Sequence, residues 1–147
     1  MDLQRIVKGV KKKLGNNILS EYVDNKGWKF YTVIAGYYES IYFDLYFRES
    51  HSNEKSITII TNCESPEAPA FFTNIIKNIE PSAVMSYSVN GQKRKKHWSE
   101  NKAVTVDFSC FSEKEYEQLE QLTEANGNGD EIQLQIQAML LDSLKYL

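Results

Sequence analysis

Ile41-Tyr42-Phe43-Asp44-Leu45-Tyr46-Phe47-Arg48-Glu49 decides the fold, because it alternates apolar and amphipathic side chains without a slip. Successive side chains of a strand point to opposite faces. Ile41, Phe43, Leu45 and Phe47 therefore share one face, and Tyr42, Asp44, Tyr46 and Arg48 share the other. The first set is uniformly apolar and belongs against a core. A half-buried antiparallel strand over Glu39 to Glu49 follows.

Upstream, Trp28 to Ala35 is aromatic and β-branched, and Gly36 is expected to break it. Downstream, the polar residues 50–55 make a turn and Ser56 to Asn62 reads as a third strand. Connections this short imply an antiparallel meander. Before the meander, Leu3, Ile6, Val7, Val10 and Leu14 recur at helical spacing with lysines on the other face, so residues 3–14 form an amphipathic helix, stopped at Gly15-Asn16-Asn17.

After the meander, Ser65-Pro66 is a helix start, with Ser65 as cap and Pro66 in the first turn. Ala68, Phe72, Ile75, Ile76 and Ile79 make its apolar stripe, and Pro81 ends it. Ala83 to Val89 reads as a strand closed by the turn signal Asn90-Gly91. Gln92 to Trp98 is either a returning strand or a loop tip. Val104, Val106, Phe108 and Cys110 mark one face of a fifth strand. Ser112 and Glu115 form a capping box for a helix to about Ala125. Asn126-Gly127-Asn128-Gly129 breaks it, and Asp130 can cap a last helix ending near Leu147. Residues 131–137 also alternate like a strand, with helix preferred. The expected order is α-β-β-β-α-β-β-α-α. It describes an α+β, two-layer sandwich: a mostly antiparallel sheet of about five strands covered by helices.

The 147 residues, 41% hydrophobic and 25% charged, suit one domain spanning 1–147. No apolar run reaches the roughly 20 residues that span a bilayer. Charges interrupt the first eight residues at once, so no signal peptide is expected and the cytoplasm is the expected location. Cys63 and Cys110 are then read as reduced core thiols.

Net charge is −3 but unevenly distributed. Arg5, Lys8, Lys11, Lys12 and Lys13 face only Asp2 in residues 1–14. Lys93, Arg94, Lys95, Lys96 and Lys102 face only Glu100 in residues 91–102. Residues 107–147 are strongly acidic. Such asymmetry speaks to partners, not to fold.

No nucleotide-binding glycine motif, nucleophile elbow or His-Glu-x-x-His pattern occurs. His51 and His97 are the only histidines and lie in polar stretches. His51, Cys63, His97 and Cys110 stand singly, whereas structural zinc ligands come in close pairs. Asp44 and Asp107 sit within strands, where a solvent-facing acid is the simpler account than a nuclease carboxylate. No enzyme activity, cofactor or metal is expected.

Two features stand above background. Nine of the eighteen aromatics fall between Trp28 and Phe47. Of these, Tyr42 and Tyr46, with Tyr38 nearby, flank Asp44 on the side away from the core. Exposed tyrosines suit partner binding, since each buries a large rigid area and keeps a hydroxyl for hydrogen bonding. The competing account is a helix packed over that face. The second feature is Lys93-Arg94-Lys95-Lys96-His97-Trp98, where cations could meet phosphates and Trp98 could stack on a base. A solvated lysine-rich loop is the commoner origin of such a run, and the chain is acidic overall.

The element order, carried by Trp28 to Ile34, by Ile41 to Phe47 and by Lys102 to Phe108, resembles small bacterial immunity proteins of polymorphic or contact-dependent toxin systems, of the YezG-like group. The Gln92–Glu100 stretch would be an insertion there. The resemblance implies a toxin inhibitor acting by direct protein–protein binding, and no residue roles transfer with it. On that expectation the partner is a protein, with a toxin domain as the leading case and no membrane involved. The partner-binding residues are Tyr38, Tyr42, Asp44 and Tyr46, with Glu113, Glu117, Glu120 and Glu124 able to mimic phosphates toward a nuclease toxin. The alternative is a nucleic-acid-binding module using basic segments 5–13 and 93–98, with Lys93, Arg94, Lys95, Lys96 and Trp98 as its patch.

Overall fold

The first helix, α1 (Leu3–Leu14), forms where the apolar spacing places it. Asp2 caps it by accepting hydrogen bonds from the Gln4 N–H at 3.0 Å and the Arg5 N–H at 3.5 Å. Lys11, Lys12 and Lys13 occupy its last turn, where cations favour the helix dipole. The computed structural model describes residues 2–24, 26–61, 66–89, 92–95, 103–107 and 112–124. Within them follow a 3-10 turn (Gly15–Asn17), β1 (Ile18–Val23), β2 (Phe30–Tyr38), β3 (Ile41–Glu49), β4 (Lys55–Thr61), α2 (Glu67–Ile79), β5 (Val84–Val89), β6 (Gln92–Lys95), β7 (Ala103–Asp107) and α3 (Glu113–Glu124).

The protein is α+β. One seven-stranded sheet runs β1-β2-β3-β4-β7-β5-β6, where about five strands were expected. Strands β1 to β4 form the antiparallel meander. The centre departs from expectation: β7 lies between β4 and β5 and pairs parallel with both. The cause is α2, which carries the chain from β4 across to β5 and leaves a gap of one strand, as strand–helix–strand crossovers allow. The stretch after Asn90-Gly91 is a strand over Gln92–Lys95, paired antiparallel with β5. Asn90 and Gly91 themselves lie outside the described residues, as do Ser65, Cys63, Cys110, His97, Phe108 and the expected last helix.

The element missed entirely is β1, because five of its six residues are exposed and the strand shows no alternation. Gly36 does not break β2, which runs on to Tyr38 and turns at Glu39 and Ser40, both at positive φ (49° and 69°) as in a type I′ hairpin turn. What Gly36 permits is close approach: a Cβ there would stand 2.0 Å from the Asn17 carbonyl oxygen. Helix α2 begins at Glu67, with Pro66 at the cap position instead of the first turn.

One core joins all three helices to one face of the sheet. Ile34, Phe43, Leu45, Phe47, Ile57, Ile59, Val104 and Val106 meet Ile6, Val10 and Leu14 of α1, Phe71, Phe72 and Ile76 of α2, and Leu119 of α3. Helix α2 is buried on every side from Ala68 to Ile76, more than its expected stripe, because it packs against α1, α3 and the sheet at once. Its polar groups are satisfied accordingly: the Thr73 hydroxyl donates to the Pro69 carbonyl at 2.8 Å and the Asn74 amide to the Leu122 carbonyl at 3.3 Å. The capping box at α3 forms as expected, with the Ser112 N–H donating to Glu115 Oε1 at 2.9 Å and the Glu115 N–H to Ser112 Oγ at 3.4 Å.

Candidate functional site

Alternation in β3 sends Ile41, Phe43, Leu45 and Phe47 into the core and leaves Tyr42, Asp44, Tyr46 and Arg48 half-buried on the other face. Register then adds neighbours to that face. Tyr46 lies opposite Val33 and Thr58, Asp44 opposite Ala35 and Ile60, Tyr42 opposite Tyr37, and Arg48 opposite Tyr31. Val33 in turn pairs with Tyr22 of β1. Among the described residues no helix contributes to this face, since the buried side chains of all three belong to the opposite one.

The result is an aromatic surface organised around one cation. The Arg48 guanidinium carbon lies 5.9 Å from the Trp28 ring centroid and 6.0 Å from that of Tyr46, both within cation–π range. Arg48 also donates from Nη2 to the Thr58 hydroxyl, while its buried Nε has no partner among the described residues. Trp28 meets Tyr31 at 5.8 Å, and Tyr31 meets Tyr22 edge-on at 6.3 Å. At the other end Tyr37 and Tyr42 stand 5.6 Å apart. Tyr22 and Tyr37 are the most open members, 58% and 53% exposed.

Electrostatics mark the Tyr42 end. The Tyr42 hydroxyl donates to Asp44 Oδ2, and this bond holds its pKa up at about 12, with burial and the Asp44 charge adding to it. Burial also raises Tyr46, helped by Asp44 and opposed by Arg48. Because the folded protein binds the Tyr42 proton more tightly than the unfolded chain, this stabilisation is complete below about pH 10. It is lost as pH rises toward about 12. Tyrosinate absorbance titration should therefore show a component that ionises near pH 12, and Asp44→Asn should bring it down toward the ordinary value near 10. An unchanged titration in Asp44→Asn would contradict the assignment.

The expected site residues divide. Tyr42, Asp44 and Tyr46 come together as expected. Tyr38 is a correction: it lies one residue beyond Tyr37, so the strand period turns it to the core side, where its ring packs 4.8 Å from Phe71. Glu117 is exposed and Glu120 half-buried on α3, and Glu113 opens that helix. Because α3 packs on α2, the sheet separates these acids from the tyrosines. Lys93, Arg94 and Lys95 lie on β6, at the sheet edge opposite β1 and on the order of 30 Å from it by strand spacing. Lys96 and Trp98 fall outside the described residues. The other basic segment, 5–13, lies on α1, which packs against α2 and β3.

Arg48 and Trp28 were legible as neighbours of the face but not as its centre, because pairing across the meander is what stacks them. Tyr22 had no usable signal once β1 was missed. Among the described residues, no three His, Cys, Asp or Glu side chains are grouped to hold a metal, and no helix is long and apolar enough to cross a membrane. Comparison with protein-family models, curated proteins and solved structures returns no match.

Proposed function

We propose that the protein is a non-catalytic binding protein, an immunity or inhibitor protein that neutralises a cognate toxin by direct protein–protein contact through the Trp28–Tyr31–Tyr46 face. The observation that carries this reading is the continuous aromatic surface around Arg48 on a sheet face that no described helix covers. Tyrosine, tryptophan and arginine are the residues most enriched among interface hot spots. Strand β3 is held on both sides by neighbours, so the surface is presented with little entropy left to lose. Helix α3 lies in the opposite layer, and β6 is four strands from β3, at the far edge of the sheet.

Used as bait in extract of the native host, the wild-type chain should recover a protein partner. Tyr46→Ala should weaken that complex by about 2 kcal/mol, roughly thirtyfold. Recovery of nucleic acid with no protein, lost steeply as salt rises, would replace this reading with that of a nucleic-acid-binding module.

A further inference from the structure

Arg48 stands in the aromatic face without an opposite charge. Its side chain is half-buried, on β3 between Tyr31 of β2 and Ser56 of β4. A guanidinium carries several N–H donors, no acceptor and a permanent charge. One donor goes to the Thr58 hydroxyl, and the Trp28 and Tyr46 rings lie within cation–π range. Among the described residues Arg48 makes no ion pair. The rings offset part of what it costs to take the cation out of water, but a ring brings no net charge.

The acids around it are committed elsewhere. Glu49, the next residue, is shared by Lys29 at 3.2 Å and Lys55 at 3.8 Å. Asp24, beside Tyr31 on β1, accepts from the Tyr22 hydroxyl at 3.3 Å and from the Lys26 N–H at 2.8 Å. Asp44 takes the Tyr42 hydroxyl. It lies four residues back along β3, about 13 Å by strand rise and beyond the screening length of about 8 Å. Glu54 is exposed in the turn beyond the strand. Arg48 therefore offers a single uncompensated charge, set among rings.

We infer that the partner of this face presents an aspartate or glutamate carboxylate to Arg48, with apolar neighbours of that acid lying over Trp28, Tyr31 and Tyr46. The inference rests on the reading of the aromatic face as the contact surface. One cation matches one carboxylate, and paired N–H groups along a guanidinium edge match its two oxygens. The partner's own bulk then shields the pair from water, which strengthens it. A nucleic-acid strand is the poorer occupant. Its repeated phosphates would run toward Asp24 or Asp44, and Lys29 and Lys55 are already engaged by Glu49.

The test is a magnetic-resonance titration of the full chain, read at the Arg48 Nε–H and the Trp28 indole N–H. Two end-blocked pentapeptides carry either glutamate or glutamine between flanking leucines. The glutamate peptide should shift both signals and bind roughly tenfold more tightly than the glutamine peptide. Arg48→Met keeps the side-chain stem and removes the charge, so it should erase that preference. Lys8→Ala, on α1 in the other layer, should leave it intact. Equal affinity for the two peptides in the wild type would overturn the proposal, whether or not Arg48→Met folds. So would the absence of any shift, or a preference that survives in Arg48→Met. Tighter binding of a short oligothymidylate at the same signals would assign the face to nucleic acid instead. Against the partner recovered by the wild type, Arg48→Met should bind at least roughly tenfold more weakly. If it binds like the wild type while Tyr46→Ala is weakened, the carboxylate proposal fails and the binding face stands. If both variants bind like the wild type, the face itself is wrong and the proposal falls with it.

Discussion

Phe43→Ala should destabilise the protein by about 3–5 kcal/mol, lowering the melting temperature by about 10 °C or more for a chain of this length. Phe43 is completely buried at the centre of the meander. Its ring packs 4.9 Å from Phe72 of α2, and its strand neighbours are Gly36 and Thr61. Truncation removes the hydrophobic transfer energy and leaves a cavity whose walls are strands and a helix fixed by other contacts, so collapse can recover little of the loss. Calorimetry or a denaturant titration reads the change directly. A loss below about 1 kcal/mol would mean that the helical layer is not seated on this face.

Gly36→Ala should cost on the order of 3 kcal/mol, at the upper end of what overpacking produces. The added carbon would meet the Asn17 carbonyl oxygen at 2.0 Å and Phe43 Cζ at 3.1 Å. A flexible side chain could move aside, but a backbone carbonyl cannot move without carrying the chain with it. Asn17 is also anchored from its own side chain, whose amide donates to the Leu14 carbonyl at 2.9 Å. The relief available is to part β1 from β2 at the bulge between Ile18 and Ser20. Faster hydrogen exchange in β1 should therefore accompany the lower melting temperature. A melting temperature equal to that of the wild type would show that Asn17 does not approach β2 this closely.

These two substitutions also show where sequence reasoning held and where it ran out. Phe43 announces itself, because an apolar residue in strict alternation with Tyr42 and Asp44 has only one side to go to. The same local logic placed α1 within its observed bounds and identified the Ser112–Glu115 capping box. Gly36 misled, because a glycine inside a strand pattern signals either an end or a close approach, and only the position of Asn17 decides between them. Tyr38 misleads for a related reason: if β2 stops at Gly36, the phase of the residues beyond it is lost. The insertion of β7 between β4 and β5 left no trace in any local stretch, since it depends on how far α2 carries the chain before β5 begins. The candidate site was half legible. Tyr42, Asp44 and Tyr46 follow from the period of one strand, whereas the Arg48 stack needs Trp28 and Tyr31 brought alongside by pairing with β2.

The aromatic face and the core face of β3 thus make opposite demands on neighbouring residues, and this gives the most direct test of the binding reading. Tyr46→Ala and Phe43→Ala are to be melted side by side, and Tyr46→Ala is then titrated with the partner recovered by the wild type. Tyr46 loses ring contacts with Arg48 but no core packing, so its variant should melt within a few degrees of the wild type, consistent with about 1 kcal/mol, and bind roughly thirtyfold more weakly. Phe43→Ala should melt far lower. If Tyr46→Ala unfolds as readily as Phe43→Ala, or binds the partner as tightly as the wild type, the tyrosine face is not the contact surface and the account fails.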